Sequence, residues 1–379
     1  MPTQHDEPGP VQLPIGKVIA NQWKIVGKLG EGGCGAVYKV QNVRSPGEYA
    51  AMKAESNFVS GGSVLKLEVQ ILRRLEGRPH VAQLLQSGKK QNFCYMVMTL
   101  LGEPLNHLVK KVNRQCSVST QTRVGINTLY GIKQVHDIGF VHRDLKPANI
   151  AVGRKGSGEA RFLHILDFGL AREFVVKDEG RLKMRRPRTR ALFRGTTRYC
   201  SIATHERKEQ GRVDDLWSLL YMLAEMRGTL PWSSGQAKDE IMEMKRVTEP
   251  DMMLENSPVQ LVELAKYLST LNYYSRPDYS LIFDLFVSIM EGGKFKWTDQ
   301  WDWEKRGAFS SILNSEKSSE YISTQNSRDS INASTENLTI PLSVPDPATG
   351  KATPKASDAD LNLDNPFPPE LFKTNPIGF

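Results

Sequence analysis

Val141-His142-Arg143-Asp144-Leu145-Lys146-Pro147-Ala148-Asn149-Ile150 is the stretch on which the reading of this sequence turns. It fits H-R-D-x-x-x-x-N, an aspartate and an asparagine held at a fixed separation in one loop. The chemistry suited to such a loop is in-line transfer of a phosphoryl group to a hydroxyl. Asp144 can accept the hydrogen bond of the attacking hydroxyl and orient it. Asn149 offers an amide oxygen to Mg²⁺, and Lys146 neutralises charge on the moving group.

Working outward, the other parts stand in order. Downstream, Ile165-Leu166-Asp167-Phe168-Gly169 supplies D-F-G, with Asp167 as the main Mg²⁺ ligand. Mg²⁺ prefers carboxylate, amide and phosphate oxygens, which Asp167, Asn149 and ATP provide. Upstream, Leu29-Gly30-Glu31-Gly32-Gly33-Cys34-Gly35-Ala36-Val37 contains G-x-G-x-x-G followed by x-V. Glycines let the backbone fold tightly over phosphates and present N–H groups to them. Alone, this pattern equally suits a structural hairpin or a dinucleotide site. A dinucleotide loop needs a helix next, whereas Ala36–Asn42 reads as a continuing strand. Lys53 closes the third strand candidate, where it would hold the α- and β-phosphates while paired with a glutamate of the following helix. Glu68 is that candidate. It shares the apolar face of Val64, Leu65, Ile71 and Leu72, where a lone charge needs a partner; the alternative is a glutamate at the helix rim. In this order and spacing the motifs define a protein kinase fold, with ATP and Mg²⁺ as cofactors.

The expected fold class is α+β with two lobes. Lys24–Leu29, Ala36–Asn42, Tyr49–Ala54, Val81–Ser87 and Phe93–Leu100 read as strands, and Val64–Glu76 as a helix. Helices dominate after Gly102, around Thr120–Ile138, Asp214–Met226, Ser257–Leu271 and Tyr279–Met290. The expected division is a flexible leader over 1–20, a kinase domain over 21–305 (lobes 21–99 and 100–305), and a disordered Ser/Thr/Asn/Pro-rich tail over 306–379.

Composition bounds the rest. The chain has 379 residues, 39% of them hydrophobic, enough for a sizeable core. No apolar run of about 18 residues exists to span a membrane. The polar start lacks the apolar stretch of a signal peptide, and Pro2 stands where myristoylation needs glycine. Cys34, Cys94, Cys116 and Cys200 lack metal-ligand spacing, so free thiols in a reducing compartment are expected. The expectation is a monomer in the cytoplasm, with the nucleus as a second compartment. The Asn332-Ala333-Ser334 and Asn337-Leu338-Thr339 glycosylation patterns carry little weight without a secretory signal.

With these residues in hand, the chain resembles the casein kinase 1 superfamily, and within it the tau-tubulin kinase branch. The carriers are Met52-Lys53-Ala54-Glu55-Ser56, Gly195-Thr196-Thr197-Arg198-Tyr199-Cys200-Ser201, Arg212-Val213-Asp214-Asp215-Leu216-Trp217-Ser218-Leu219, Leu230-Pro231-Trp232, Pro277-Asp278-Tyr279 and Asp302-Trp303-Glu304-Lys305. The resemblance covers Trp23 to Gly307. It implies a serine/threonine acceptor, the form in which Lys146 follows the aspartate by two residues, and protein substrates that include cytoskeletal ones. It also implies a hinge with Met98 as gatekeeper, Thr99 and Leu101 meeting adenine through backbone atoms, and Asp215 anchoring the catalytic loop from below. Cys34 departs from the aromatic residue usual at the tip of the glycine loop.

The formal net charge is +8. Arg181, Lys183, Arg185, Arg186, Arg188, Arg190, Arg194 and Arg198 crowd one stretch free of Asp and Glu, between D-F-G and the expected substrate loop. Arginine forks bind phosphate and carboxylate. The expectation is therefore a preference for acidic or pre-phosphorylated substrates, with Arg198 as the phosphate contact by resemblance. A solvated charged loop is the plain alternative, and nucleic acid is disfavoured for a cluster beside a catalytic loop. The tail's Ser/Thr residues raise a second possibility, autophosphorylation followed by docking on the basic loop. The competing class is a pseudokinase scaffold. Against it stand Lys53, Glu68, Asp144, Lys146, Asn149 and Asp167, all in place.

Overall fold

The computed structural model describes residues 10–32, 35–58, 62–232, 235–304 and 365–379. Two compact units divide between Leu100 and Leu101, and the closing segment of the chain belongs to the second.

The first unit is an antiparallel sheet with one helix. Its strands are β1 (Val18–Ile19), β2 (Trp23–Gly32), β3 (Gly35–Asn42), β4 (Tyr49–Ser56), β5 (Leu84–Lys89) and β6 (Phe93–Thr99), in the order β1-β2-β3-β4-β6-β5. Helix α1 (Val64–Arg74) lies between β4 and β5, its first turn capped by Ser63. Alternation decides the faces. Ala36, Tyr38 and Val40 of β3 oppose Ala54, Met52 and Ala50 of β4, and all six are buried in one apolar cluster. The intervening residues face the other way, so the register sets Val37 beside Lys53, and Lys53 beside Met96 of β6. Gly35 must be glycine, because a Cβ there would lie 2.2 Å from the Ala54 carbonyl oxygen.

Residues 10–20 correct the expectation of a flexible leader over 1–20. Leu13 is buried in the sheet's core cluster, its N–H donates to the Tyr38 hydroxyl at 3.0 Å, and Tyr38 donates to the Val11 carbonyl at 2.6 Å. The buried anchors, Leu13 and Ile19, stand six residues apart and share no strand or helix period, so the anchoring was invisible locally.

The second unit is built on helices α2 (Leu105–Lys111) and α3 (Val118–Asp137), then strands β7 (Phe140–Val141), β8 (Ile150–Val152), β9 (Leu163–Ile165), β10 (Arg172–Glu173), β11 (Val175–Asp178) and β12 (Arg181–Met184). Helices α4 (Ile202–His205), α5 (Arg212–Glu225), α6 (Lys238–Val247), α7 (Pro250–Met253), α8 (Val259–Ser269), α9 (Tyr279–Gly292) and α10 (Glu370–Lys373) complete it. Helix α3 is buried from Ser119 to His136 and packs against α5, α9 and β9. Asp302 accepts the Ser117 N–H at 2.6 Å, fixing the Asp302-Trp303-Glu304 turn to the start of α3. Part of the basic stretch, read as loop from sequence, forms the β11–β12 hairpin.

The closing segment overturns the expectation of a disordered tail for residues 365–379. Phe367 and Phe372 are each 1% exposed in the second unit. Residues 305–364, which hold the rest of that expected tail, lie outside the described residues. These two phenylalanines stand in a proline-spaced polar stretch, and their partners Tyr130 and Phe283 are remote in the chain.

Candidate active site

In the first unit, Lys53 ends up on the sheet face that α1 covers, and its Nζ donates to Glu68 Oε1. Glu68 sits with Leu65, Ile71 and Leu72 on the buried face of α1. Val37 and Met98 lie on the same sheet face as Lys53, Met98 opposite Ala51. Leu29, Gly30, Glu31 and Gly32 close β2 opposite Gly35–Val37 of β3, a hairpin paired to its end at Gly32 and Gly35. Gly33 and Cys34, the expected tip of the phosphate loop, lie outside the described residues. At the expected hinge, the Thr99 N–H is spent on the Gln83 carbonyl at 3.0 Å. The Leu101 N–H, in the second unit, meets no protein acceptor among the described residues and suits a ligand acceptor.

In the second unit the H-R-D loop leaves β7, and its Pro147–Asn149 turn leads into β8. One carboxylate suspends it. Asp215 of α5 accepts the backbone N–H of His142 at 2.7 Å and of Arg143 at 2.9 Å. His136 of α3 donates to Asp215 at 2.8 Å, and its other ring nitrogen meets the Tyr279 hydroxyl at 2.7 Å. Burial alone would raise the Asp215 carboxyl. The His136 hydrogen bond and the loop N–H groups outweigh it and hold the group below its usual range. Burial pushes the His136 imidazole down, so the pair stands as carboxylate and neutral imidazole.

Suspended in this way, the loop presents Asp144, 9% exposed. Its Oδ1 accepts the Thr196 hydroxyl at 2.7 Å and its Oδ2 accepts Lys146 Nζ at 2.8 Å. Lys146 also reaches Thr196 Oγ1 at 3.1 Å. Asn149 donates its amide N–H to the Asp144 carbonyl at 2.9 Å. That orientation leaves the Asn149 amide oxygen without a protein donor among the described residues, as a hard cation requires. Asp167 adopts φ 62°, a left-handed conformation that costs energy outside glycine, while Phe168 is buried edge-on to His142 at 5.5 Å. Among the described residues no three His, Cys, Asp or Glu side chains converge as a metal cluster. Asp167 and Asn149 nevertheless fit Mg²⁺, which is commonly held by one or two carboxylates together with substrate phosphates.

Thr196 belongs to none of the kinase motifs, and only the fold shows its place beside Asp144. Its neighbour Gly195 has φ +109°, and a Cβ there would lie 2.5 Å from the Arg143 carbonyl oxygen. The loop holding Gly195 and Thr196 therefore touches the H-R-D loop backbone at a glycine.

The basic stretch is less free than its sequence suggested, because the fold brings acids to it. Arg188 donates to Glu209 at 2.6 and 2.9 Å, and Arg172 approaches the same carboxylate at 3.3 Å. Burial would raise Glu209, but these arginines prevail and lower it. Arg143, buried near Arg172 and Arg188, is lowered to about 10 and stays charged at neutral pH. Lys183 pairs with Asp178 at 2.9 Å. Arg198, the expected substrate-phosphate contact, is not a free fork. It pairs with Glu225 at 2.7 Å and reaches the Trp232 carbonyl at 3.3 Å, while Tyr199 donates to the same carboxylate. Arg186 and Arg190 are exposed and Arg194 half-buried, and none of their guanidinium groups makes a hydrogen bond or ion pair among the described residues.

A β-rich unit carrying a lysine–glutamate pair, and a helical unit carrying H-R-D and D-F-G, define a phosphotransferase fold. The comparisons agree: the protein kinase domain model matches residues 23–285, and the chain belongs to the protein kinase family. Among its relatives is a Caenorhabditis elegans protein provisionally named a serine/threonine-protein kinase, 51% identical over 78% of this chain and 86% of the relative. An inactive tau-tubulin kinase of the same organism is 41% identical over 63% of this chain and 86% of the relative. A third C. elegans relative, provisionally named a casein kinase I, is 33% identical over 67% of this chain and 75% of the relative.

Proposed function

We propose that this chain is an active serine/threonine protein kinase of the casein kinase 1 superfamily, close to its tau-tubulin branch, transferring the γ-phosphate of ATP to protein hydroxyls. The observation that carries this is the Asp144 carboxylate, fixed between Thr196 and Lys146 on a loop hung from Asp215. Asp144 takes the hydrogen bond of the acceptor hydroxyl and aims its oxygen. Lys146 lends positive charge to the transferring group, and Thr196 keeps Asp144 in its rotamer. Lys53, held by Glu68, grips the α- and β-phosphates. Asp167 and Asn149 are the residues that would hold Mg²⁺, which supplies charge neutralisation between the phosphates. Catalysis of this kind comes from positioning and electrostatics rather than covalent chemistry.

The pseudokinase alternative gains from the relative named inactive. Against it, this chain keeps Lys53, Glu68, Asp144, Lys146, Asn149 and Asp167. The proposed preference for acidic or pre-phosphorylated substrates is supported by Arg186, Arg190 and Arg194, rather than by Arg198, whose fork Glu225 occupies.

Transfer from labelled ATP-Mg to casein and to an acidic peptide tests the reading, with Asp144→Asn beside the parent. Loss of transfer in the variant is expected, on the order of 10²-fold or more. Folded parent without activity would bring the pseudokinase forward. For the substrate preference, one peptide is compared with and without a pre-placed phosphoserine. Equal kcat/KM values would remove it.

A further inference from the structure

The segment Asn365–Phe379 lies beyond the kinase domain match and has no part in the site described above. It lies as a strap on the helical unit. Phe372 stacks on Phe283 of α9 at 4.2 Å and meets Tyr130 of α3 edge-on at 5.8 Å. Phe367 meets Tyr130 at 5.5 Å and Trp297 at 5.4 Å. Beyond α10, the Thr374 hydroxyl accepts Lys133 Nζ at 2.7 Å and its carbonyl accepts Arg276 at 2.9 Å. Ile377 and Phe379 then pack on Val141, Phe174 and Val175, and the Phe379 carbonyl accepts Arg212 at 2.8 Å.

The cations that receive the strap also surround the anchor of the catalytic loop. Lys133 and Arg276 lie over the Tyr279 ring at 5.8 and 5.5 Å, and Tyr279 bonds His136, the partner of Asp215. Arg212 lies over the Phe174 ring at 4.7 Å, and that ring meets His136 edge-on at 6.4 Å. Val141, beneath Phe379, immediately precedes His142. The strap thus ends against the shell that hangs the loop bearing Asp144.

We infer that Asn365–Phe379 is a docking peptide carried by the chain itself. Its seat is an aromatic groove on α3 and α9 with an end pocket at Val141, Phe174 and Arg212, and its occupancy holds the catalytic loop in place. The catalytic half of this inference rests on the kinase reading; the docking half does not. Trp301 and Thr298 line one pocket with Pro366 and Phe367, so the described residues on either side of 305–364 meet at one patch. A cut within 305–364 therefore converts the strap into a separate peptide without breaking any contact named above.

The test places a specific protease site within 305–364 of the full chain, cuts the folded protein and dilutes it. A fluorescent 365–379 peptide is expected to bind the cut, diluted protein saturably, and Phe372→Ala in the peptide to weaken it at least about tenfold. On dilution, kcat for casein is expected to fall on the order of ten- to hundred-fold with the KM for ATP unchanged, and added peptide to restore it. A second variant guards against loss of folding: a chain ending at Pro376 keeps both buried phenylalanines and should show the same fall in kcat with an unchanged melting temperature. A peptide that does not bind overturns the docking site. Binding with kcat at its uncut value, or full activity in the shortened chain, overturns the coupling. Peptide binding with no transfer by cut or uncut protein defeats the kinase reading and leaves the docking site standing. Uncut protein that runs as a dimer and becomes monomeric when cut would seat each strap on a second copy and overturn docking in cis.

Discussion

Replacing Glu209 by glutamine should destabilise the protein by about 2 kcal/mol at neutral pH. The side chain is 2% exposed and is the carboxylate against which Arg172 and Arg188 are set. Removing one partner of a fully buried pair costs roughly 3–5 kcal/mol, because the other charge is left uncompensated. Here the two arginines are 26% and 37% exposed, so water takes up part of the stranded charge and the lower figure follows. For a unit of this size the melting temperature should drop by about 4–8 °C. The sign of the pH dependence is fixed by the depressed Glu209 carboxyl. Its contribution is fully present above the ordinary value of 4.5 and is lost as pH falls through the folded-state value. Urea unfolding of parent and variant between pH 7 and pH 3 should therefore show a gap that holds down to about 4.5 and narrows below it. Raising the salt should also narrow it, since the repulsion among Arg143, Arg172 and Arg188 left in the variant is screened. A gap below about 0.5 kcal/mol at pH 7, or one independent of pH, would refute the reasoning.

Lys53→Met should leave the fold intact and lower kcat while raising the KM for ATP, measured by steady-state transfer to casein, since it removes the cation paired with Glu68. Gly195→Ala should lower kcat on the order of tenfold or more, because its Cβ meets the Arg143 carbonyl and pushes Thr196 off Asp144; nucleotide affinity should hold. Phe372→Ala should cost about 3–5 kcal/mol in urea unfolding, the range for emptying a buried aromatic site. Lys245, buried with its ammonium on the Thr197 and Cys200 carbonyls, is lowered by desolvation to about 8. Between that value and 10.5 the unfolded chain binds more protons, so stability should rise with pH across this window. Lys245→Met should flatten the rise.

The candidate catalytic residues stand out in the sequence because each lies inside a short pattern with fixed spacing, and the sheet and helix α1 because their periods are local. Thr196, Glu209 and Glu225 escaped for the opposite reason. Thr196 meets Asp144 across 52 positions of chain, and Glu225 meets Arg198 across 27. A run of arginines without a neighbouring acid looked free, although Glu209 and Glu225 come to it from the flank of α4 and from α5. The strap escaped because Phe367 and Phe372 follow no helical or strand period over enough residues to register. What marks them is burial against Tyr130 and Phe283, and that exists only once the chain is folded.

Helix α3 is buried along almost its whole length, and His136, which steadies the catalytic loop, stands in its last turn. Amides in such a helix have no route to solvent short of opening the entire helical unit. Deuterium uptake there should track global unfolding, while the exposed β11–β12 hairpin labels early. The protein can thus loosen the hairpin that carries part of its basic stretch many times over before the residue beneath Asp215 is disturbed.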